Sequence, residues 1–336
     1  MSRLSKKMAI DMGTSFTRIY TQRKGVVVNE PSVVAKNRET NEIVAVGYPA
    51  VDMVGRTPQE YEAFHPLQHG VIADYRATQI MLKEFISRAV GRFHITKPEA
   101  MIVVSAAATS TEQRAVIDVG RGAGLHNVYL IKGATAAALG AGIPVIEPRG
   151  NMIIDIGAGT TEIAIHSLGG VVAEQAIRTG GSAINDAIVR YARRDHGLLI
   201  GTTVGEEIKQ LVGTLANDFK DNTITARGLS VADSLPKSLT IGSKDIRKHL
   251  EASFEKMLLA VRNVLEQTPP DIISDIVEDG IVLSGGTAQL NGIEEFFSKK
   301  LKVSCRVSQD PSLCCVKGAN LALTHVADYK KSLLGI

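Results

Sequence analysis

NMIIDIGAGTTEIAI, Asn151 to Ile165, reads as an apolar strand, an acid, a glycine-rich turn and a returning strand. The pattern recurs near the N-terminus in MAIDMGTSFTRIY, Met8 to Tyr20, with Asp11 in the place of Asp155. Glycine lets the backbone approach a phosphate and aim N–H groups at it, and the Thr and Ser hydroxyls add donors. An Asp fixed at the strand end is an acceptor suited to Mg2+, directly or through its waters. Two such hairpins facing each other across a cleft would clamp a nucleotide triphosphate from both sides. The pair predicts an ATP-binding protein.

The rest of the chain sets bounds on that reading. A length of 336 residues favours about two domains. Hydrophobic content of 44% and charged content of 22% describe an ordinary globular chain. The balance of 38 basic and 35 acidic residues is too even to argue for nucleic acid, and no basic run carries interleaved aromatics. Cys305, Cys314 and Cys315 form no CxxC pair, as expected of free thiols in a reducing cytoplasm. No segment reaches the roughly 18 consecutive apolar residues of a membrane span.

Working outward from the hairpins, strands and helices alternate. Residues 25–35 and 42–51 read as strands, and residues 77–90 as a helix with Ile80, Leu82, Phe85, Ile86 and Ala89 at helical spacing. AMIVVSAAA (100–108) is a buried strand, followed by a helix whose N-cap is Ser110 or Thr111 with Glu112 in its first turn. VYLIKG (128–133) is a strand, and ATAAALGAGIP a small-residue helix stopped at Gly142 and Pro144. After the second hairpin, Ser182 caps one helix and Thr202 or Thr203 another. Residues 217–242 read as a small β insertion, and residues 245–267 as a long amphipathic helix ended by Thr268-Pro269-Pro270. The repeated order predicts α/β architecture in two homologous halves with a cleft between them.

Asp-x-Gly at 11–13, Asp-x-Gly-x-Gly-Thr-Thr at 155–161 and Ser-Gly-Gly at 284–286 resemble the two phosphate loops and the adenosine loop of the actin, heat-shock chaperone and sugar-kinase superfamily. Within it the chain resembles MreB, the bacterial actin. NEPSVVA (29–35), GRTP (55–58), HGVIADY (69–75), AGIPVIEPRGNMIIDIG (141–157), GEEIK (205–209), QTPPDIISDI (267–276) and VLSGGTAQLNG (282–292) carry that likeness in order. The resemblance implies the actin-like fold of four subdomains. IA would take 1–32 and 76–145, IB 33–75, IIA 146–181 and 246–336, and IIB 182–245. It also implies ATP or ADP with Mg2+, assembly into double protofilaments, and a cytoplasmic place at the inner face of the membrane beside other MreB-type or morphogenetic proteins. By position, Gly13, Thr14, Ser15 and Phe16 would follow the first phosphate loop, and Gly157, Ala158, Gly159 and Thr160 the second. Glu206, Glu207 and Lys209 would flank the adenosine, with Gly285, Gly286, Thr287 and Ala288 beneath it. Asp11 and Asp155 would hold the metal, and Asp155 and Thr161 would serve the chemistry.

Two departures bear on function. MreB proteins typically read Glu-Glu-Pro where this chain has Lys132, Gly133 and Ala134. In the family a glutamate of that segment orients and polarises the water attacking the γ-phosphate, a task needing an acceptor that lysine and glycine lack. The resemblance therefore implies a paralogue with weak hydrolysis. Lys132 could instead pair with a γ-phosphate oxygen, or point away while another acid such as Glu162 substitutes. The second departure, Ala158 for a usual glycine, is tolerable at negative φ and costly at positive φ.

MreB proteins reach the membrane by an N-terminal amphipathic helix or an apolar loop. Here GRFHITKP (91–98) offers Phe93 and Ile95 among basic neighbours, a mix suited to an anionic surface; the alternative is a loop whose Phe tucks into the core. Two other functions share the fold, a sugar or acetate kinase and a chaperone-type ATPase. The first needs an acid to deprotonate its acceptor hydroxyl, and the second a further substrate-binding domain.

Overall fold

In the strand Lys7–Met12, Met8, Ala9 and Ile10 are all fully buried, so both of its faces are covered. Met8 and Ile10 join one core, with Leu82, Phe85 and Ile102, while Ala9 joins another, with Met101 and Ile131. The strand Asn151–Ile156 behaves in the same way. Met152, Ile154 and Ile156 face a core with Phe254 and Phe297, and Ile153 faces the core that Ala9 enters. The computed structural model describes residues 7–55, 59–91, 97–326, 329 and 333–334.

Each of these strands organises a mixed sheet of the same plan. In the first half, Lys7–Met12 pairs antiparallel with Phe16–Thr21, which pairs antiparallel with Gly25–Pro31. On its other edge Glu99–Val104 and then Val128–Lys132 add in parallel, and Leu333–Leu334 closes the edge antiparallel. In the second half, Asn151–Ile156, Thr161–Ser167 and Gly170–Ile177 repeat the antiparallel run, while Ile281–Ser284 and Cys305–Val307 add in parallel. Two halves with one strand order and one sense are the α/β duplication expected from the paired hairpins.

Smaller sheets extend each half. Val34–Asn37 pairs with Ile43–Val46 and Tyr61–Phe64, and Thr223–Ser230 pairs with Leu198–Leu199 and Pro236–Gly242. These stretches fall within 33–75 and 182–245.

The halves meet along two helices of small residues, Gly133–Gly140 and Cys314–Thr324. A Cβ on Gly318 would lie 1.8 Å from the Ala136 carbonyl oxygen, and one on Gly140 1.9 Å from that of Cys314. The two backbones touch because neither glycine has a side chain. Ala134, Ala136, Ala137 and Ala138 from one helix, with Val316, Ala319 and Ala322 from the other, fill the core shared by both sheets.

Several sequence-based boundaries shift: the helix expected from 77 starts at Tyr75 behind Asp74, and Gly180 and Gly201, in place of Ser182 and of Thr202 or Thr203, stand at the caps of Gly181–His196 and Thr202–Val212. The helix after Ala108 is capped by Thr109, whose hydroxyl accepts from Glu112 N–H while Glu112 accepts from Thr109 N–H, a full capping box. The long helix runs Ser243–Glu266, its start fixed by Asp245 accepting from Gly242 N–H. Beyond it Pro270–Asp279 is a further helix with a proline in its first turn. No helix among the described residues is long and apolar enough to cross a membrane. Phe93 and Ile95 lie outside the described residues.

Candidate functional site

The two hairpins turn in the same way. Gly13 N–H donates to the Phe16 carbonyl at 3.0 Å, and Gly157 N–H donates to that of Thr160 at 2.9 Å. The next shell braces both turns from behind. Ser32 Oγ donates to the Gly13 carbonyl at 2.7 Å, and Thr287 Oγ1 donates to the Gly157 carbonyl at 2.9 Å. Tying back these carbonyls fixes which side of each turn faces the space between them. The turns also touch each other, and Gly70, between the strands Leu67–Gln68 and Val71–Ile72, touches the second of them. A Cβ on Gly159 would lie 2.2 Å from Thr14 Oγ1, and one on Gly70 2.8 Å from Thr160 Cγ2.

Between the halves lies a cleft of about 600 Å3. The turns Gly13–Phe16 and Gly157–Thr160 line it, together with Asp11 and Asp155. Glu206 and Lys209 come from the helix Thr202–Val212, and Gly285, Gly286 and Thr287 from the turn after Ile281–Ser284. Lys209 Nζ lies 2.8 Å from Glu206 Oε2, and the lysine is buried. Gly285 has φ +88° and its Cβ position is 2.3 Å from the Ile156 carbonyl oxygen, so only glycine fits there. Ala158 is not among the residues with positive φ, so its methyl costs the turn no backbone strain.

Three sequence-derived candidates stand elsewhere. Thr161 is fully buried and its hydroxyl donates to the Thr179 carbonyl at 2.7 Å, behind the turn rather than in the cleft. Strand alternation explains this placement, because the next residue, Glu162, is the one that faces the cleft. Glu207 is exposed on its helix and does not line the cleft, whereas Gln210 does and donates to Glu206 Oε1 at 2.8 Å. Ala288 is buried beneath the turn, outside the cleft lining. Sequence reasoning missed Arg18, Ser105 and Cys315, which also line the cleft.

The acids of the cleft are crowded. Ser284 Oγ donates to Asp155 Oδ1 at 2.7 Å, and Cys315 Sγ lies 3.5 Å from Asp155 Oδ2. Burial, reinforced by the charge of Asp11, pushes the Asp155 carboxyl up to about 6. Burial and then the charge of Asp155 push Glu162 up to about 7. Asp11 is raised by burial against the pull of Arg18, whose guanidinium lies 3.6 Å away. Among the described residues no group of three or more His, Cys, Asp or Glu forms a cage for a metal ion. Mg2+ ordinarily needs none, since one or two carboxylates, ligand phosphates and its own waters suffice. Two carboxyls that repel each other, Asp155 buried and Asp11 half-buried, on opposite walls of one cleft, fit that mode.

A profile of the MreB/Mbl protein family matches residues 5–331. This chain belongs to the MreB/Mbl family. It is 37% identical over 330 residues to the cell shape-determining protein Mbl of Bacillus subtilis (strain 168), covering 98% of this chain and 99% of that protein. Against the cell shape-determining protein MreB of Escherichia coli (strain K12) the identity is 39% over 327 residues, with 96% and 94% covered. The crystal structure of MreB5 of Spiroplasma citri bound to AMPPNP superposes with a TM-score of 0.92 at 32% identity, covering 97% of this chain and 98% of that one. The fold is therefore actin-like.

For an MreB/Mbl protein the segment after Ile131 is the departure to explain. Lys132 ends its strand with Nζ on the Glu174 carboxylate and does not line the cleft, an arrangement that favours a structural role for it. Gly133 does line it, and a Cβ there would lie 2.7 Å from Glu162 Oε2. The Glu162 carboxylate thus occupies the space that a side chain at 133 would enter. It accepts from Ala134 N–H at 3.1 Å and Ala106 N–H at 3.4 Å, at the start of the helix Gly133–Gly140. Lys132→Glu is accordingly expected to leave nucleotide turnover unchanged and to lower stability, by setting a second carboxylate against Glu174. The effect should stay within about 1 kcal/mol, the range for a partly exposed ion pair, read from urea unfolding midpoints beside phosphate release.

Proposed function

We propose that this chain is an ATP-binding bacterial actin that polymerises into double protofilaments and hydrolyses ATP slowly. The observation that carries the reading is the opposed pair of braced turns, each with its aspartate, around one cleft. Family membership supports it, as does the likeness to MreB5 of Spiroplasma citri, a protein that binds AMPPNP. The phosphates would lie between Gly13–Phe16 and Gly157–Thr160, with the adenosine toward Glu206, Lys209 and Gly285–Thr287. Asp11 and Asp155 would hold Mg2+, which when bound neutralises charge on the phosphates.

Hydrolysis is slow in this reading because the acceptor is displaced and tethered. Glu162 stands in for the missing glutamate, yet two backbone N–H groups already hold one of its oxygens. A carboxylate so engaged is a weaker and less mobile water-orienting group than one free to reach into the cleft. The nucleotide state would then set polymer stability more than it drives rapid turnover. Contact with the inner membrane surface through Phe93 and Ile95 belongs to the same proposal, on the basic-apolar character of their loop. Flotation of Phe93→Ser with anionic liposomes tests that part, and undiminished binding removes the loop from the account.

Sedimentation and electron microscopy of the purified chain with ATP test the main reading. Pelleting filaments are the expected result. A protein that stays in the supernatant and releases ADP only when a sugar or acetate is added would replace this reading with a kinase.

A further inference from the structure

Strand register makes the two hairpins directly comparable. Asp11 stands opposite Arg18 across the first, and Asp155 stands opposite Glu162 across the second. Thr17 and Thr161, the residues just before Arg18 and Glu162, are both fully buried behind their turns. Arg18 and Glu162 therefore hold equivalent places, and both line the cleft. One wall carries a carboxylate there and the other a guanidinium.

The guanidinium is incompletely satisfied. Its side chain is 15% exposed, with Nη1 3.6 Å from Asp11 Oδ2, beyond the usual hydrogen-bond range of about 2.7–3.2 Å. Its Nε is buried and has no hydrogen-bond partner among the described residues. The Phe16 ring, 5.4 Å from the guanidinium carbon, holds it from one face without accepting a hydrogen bond. An arginine keeps its charge under all ordinary conditions and presents five N–H donors in a planar fork that matches phosphate oxygens. A group made only to neutralise Asp11 would close on it in a two-bond fork, the favoured arrangement of arginine with carboxylate. This one stands off, with donors to spare, in the wall beside Gly13–Phe16.

We propose that Arg18 is a phosphate-binding residue of the first turn, recognising the polyphosphate of a nucleoside di- or triphosphate. The inference rests on the nucleotide reading above. It gives the cleft a fixed cation of its own, so that phosphate binding depends less on a divalent ion than two aspartates alone would allow. Arrival of the phosphates draws the guanidinium from Asp11 and leaves that carboxylate to the metal.

Titration calorimetry of the full chain with ATP, ADP and adenosine, each with Mg2+ and with EDTA, tests it on the wild type, Arg18→Leu and Arg18→Lys. In EDTA, Arg18→Leu should bind ATP and ADP about 10- to 100-fold more weakly, the range for a lost hydrogen bond to a charged group. The loss should shrink in Mg2+, be smaller for Arg18→Lys, and be absent for adenosine, whose unchanged binding also shows an intact cleft. Equal ATP affinity of wild type and Arg18→Leu in EDTA overturns the proposal. So does an equal loss for adenosine and ATP, which marks a purely structural role. A wild type that binds no ATP in either buffer overturns the nucleotide reading itself, a result separate from any effect of the substitutions.

Discussion

Glu162→Gln should cut the phosphate release of the proposed ATPase by about 10²-fold, the low end of what one general base supplies, because the tethered carboxylate is already a weak one. Glutamine keeps the shape of the side chain and an oxygen that can accept from Ala134 and Ala106 N–H, so the turn and the helix start are left in place. What it loses is the ability to take a proton from the attacking water. Because burial and Asp155 push the Glu162 carboxyl up to about 7, the wild-type rate should fall as pH drops below neutrality and level off above it. The sign follows from the role, since a base acts only when ionised and a raised value moves its loss into the physiological range. Glu162→Gln should flatten this profile. Release by the glutamine variant at the wild-type rate, with the same pH dependence, would show that another group accepts the proton.

Gly318→Ala should destabilise the whole chain by about 3 kcal/mol or more, at the upper end of what overpacking costs. The added methyl would sit 1.8 Å from the Ala136 carbonyl oxygen, a backbone atom that no rotamer change can move aside. Relief requires the helices Gly133–Gly140 and Cys314–Thr324 to separate, which opens the core into which both sheets pack. Gly140→Ala, against the Cys314 carbonyl at 1.9 Å, should behave alike. In a double substitution the two costs should fall well short of their sum, because the first separation already makes room for the second methyl. Urea unfolding of the four proteins reads this directly. Unaltered midpoints would mean that the helices slide past each other without loss, and the halves would not be joined as described.

Much of this molecule was legible because its decisive information is local. An acid, a glycine turn and flanking apolar runs specify a hairpin within about fifteen residues of sequence, and the chain contains two. The structure adds most where a local cue has two readings. Thr161 and Glu162 are adjacent, and only the register of the strand tells which faces the cleft. Pro269-Pro270 follows the end of the long helix at Glu266, as the sequence predicts, and Pro270 also opens a further helix, since a proline costs nothing in a first turn. The extended stretch 25–35 divides at Ser32, whose hydroxyl is engaged with Gly13 and Thr17 from another strand. Ser105 and Cys315 reach the cleft from distant elements, and nothing in their own neighbourhoods announces it. Arg18 could have been found by laying the two hairpins side by side and asking what stands opposite each aspartate.

The meeting of the two turns has a kinetic meaning. Gly159 lies against Thr14 and Gly70 against Thr160, while the two small-residue helices, whose first residues reach the same cleft, hold the halves together. A molecule whose two walls touch across the cleft at these turns resembles a clasp, in which escape waits on the parting of the walls rather than on the grip within. Residence time would then be set by how often those turns part. A bulkier residue at 70 or 159 would act on that residence time before it touched the affinity for anything inside.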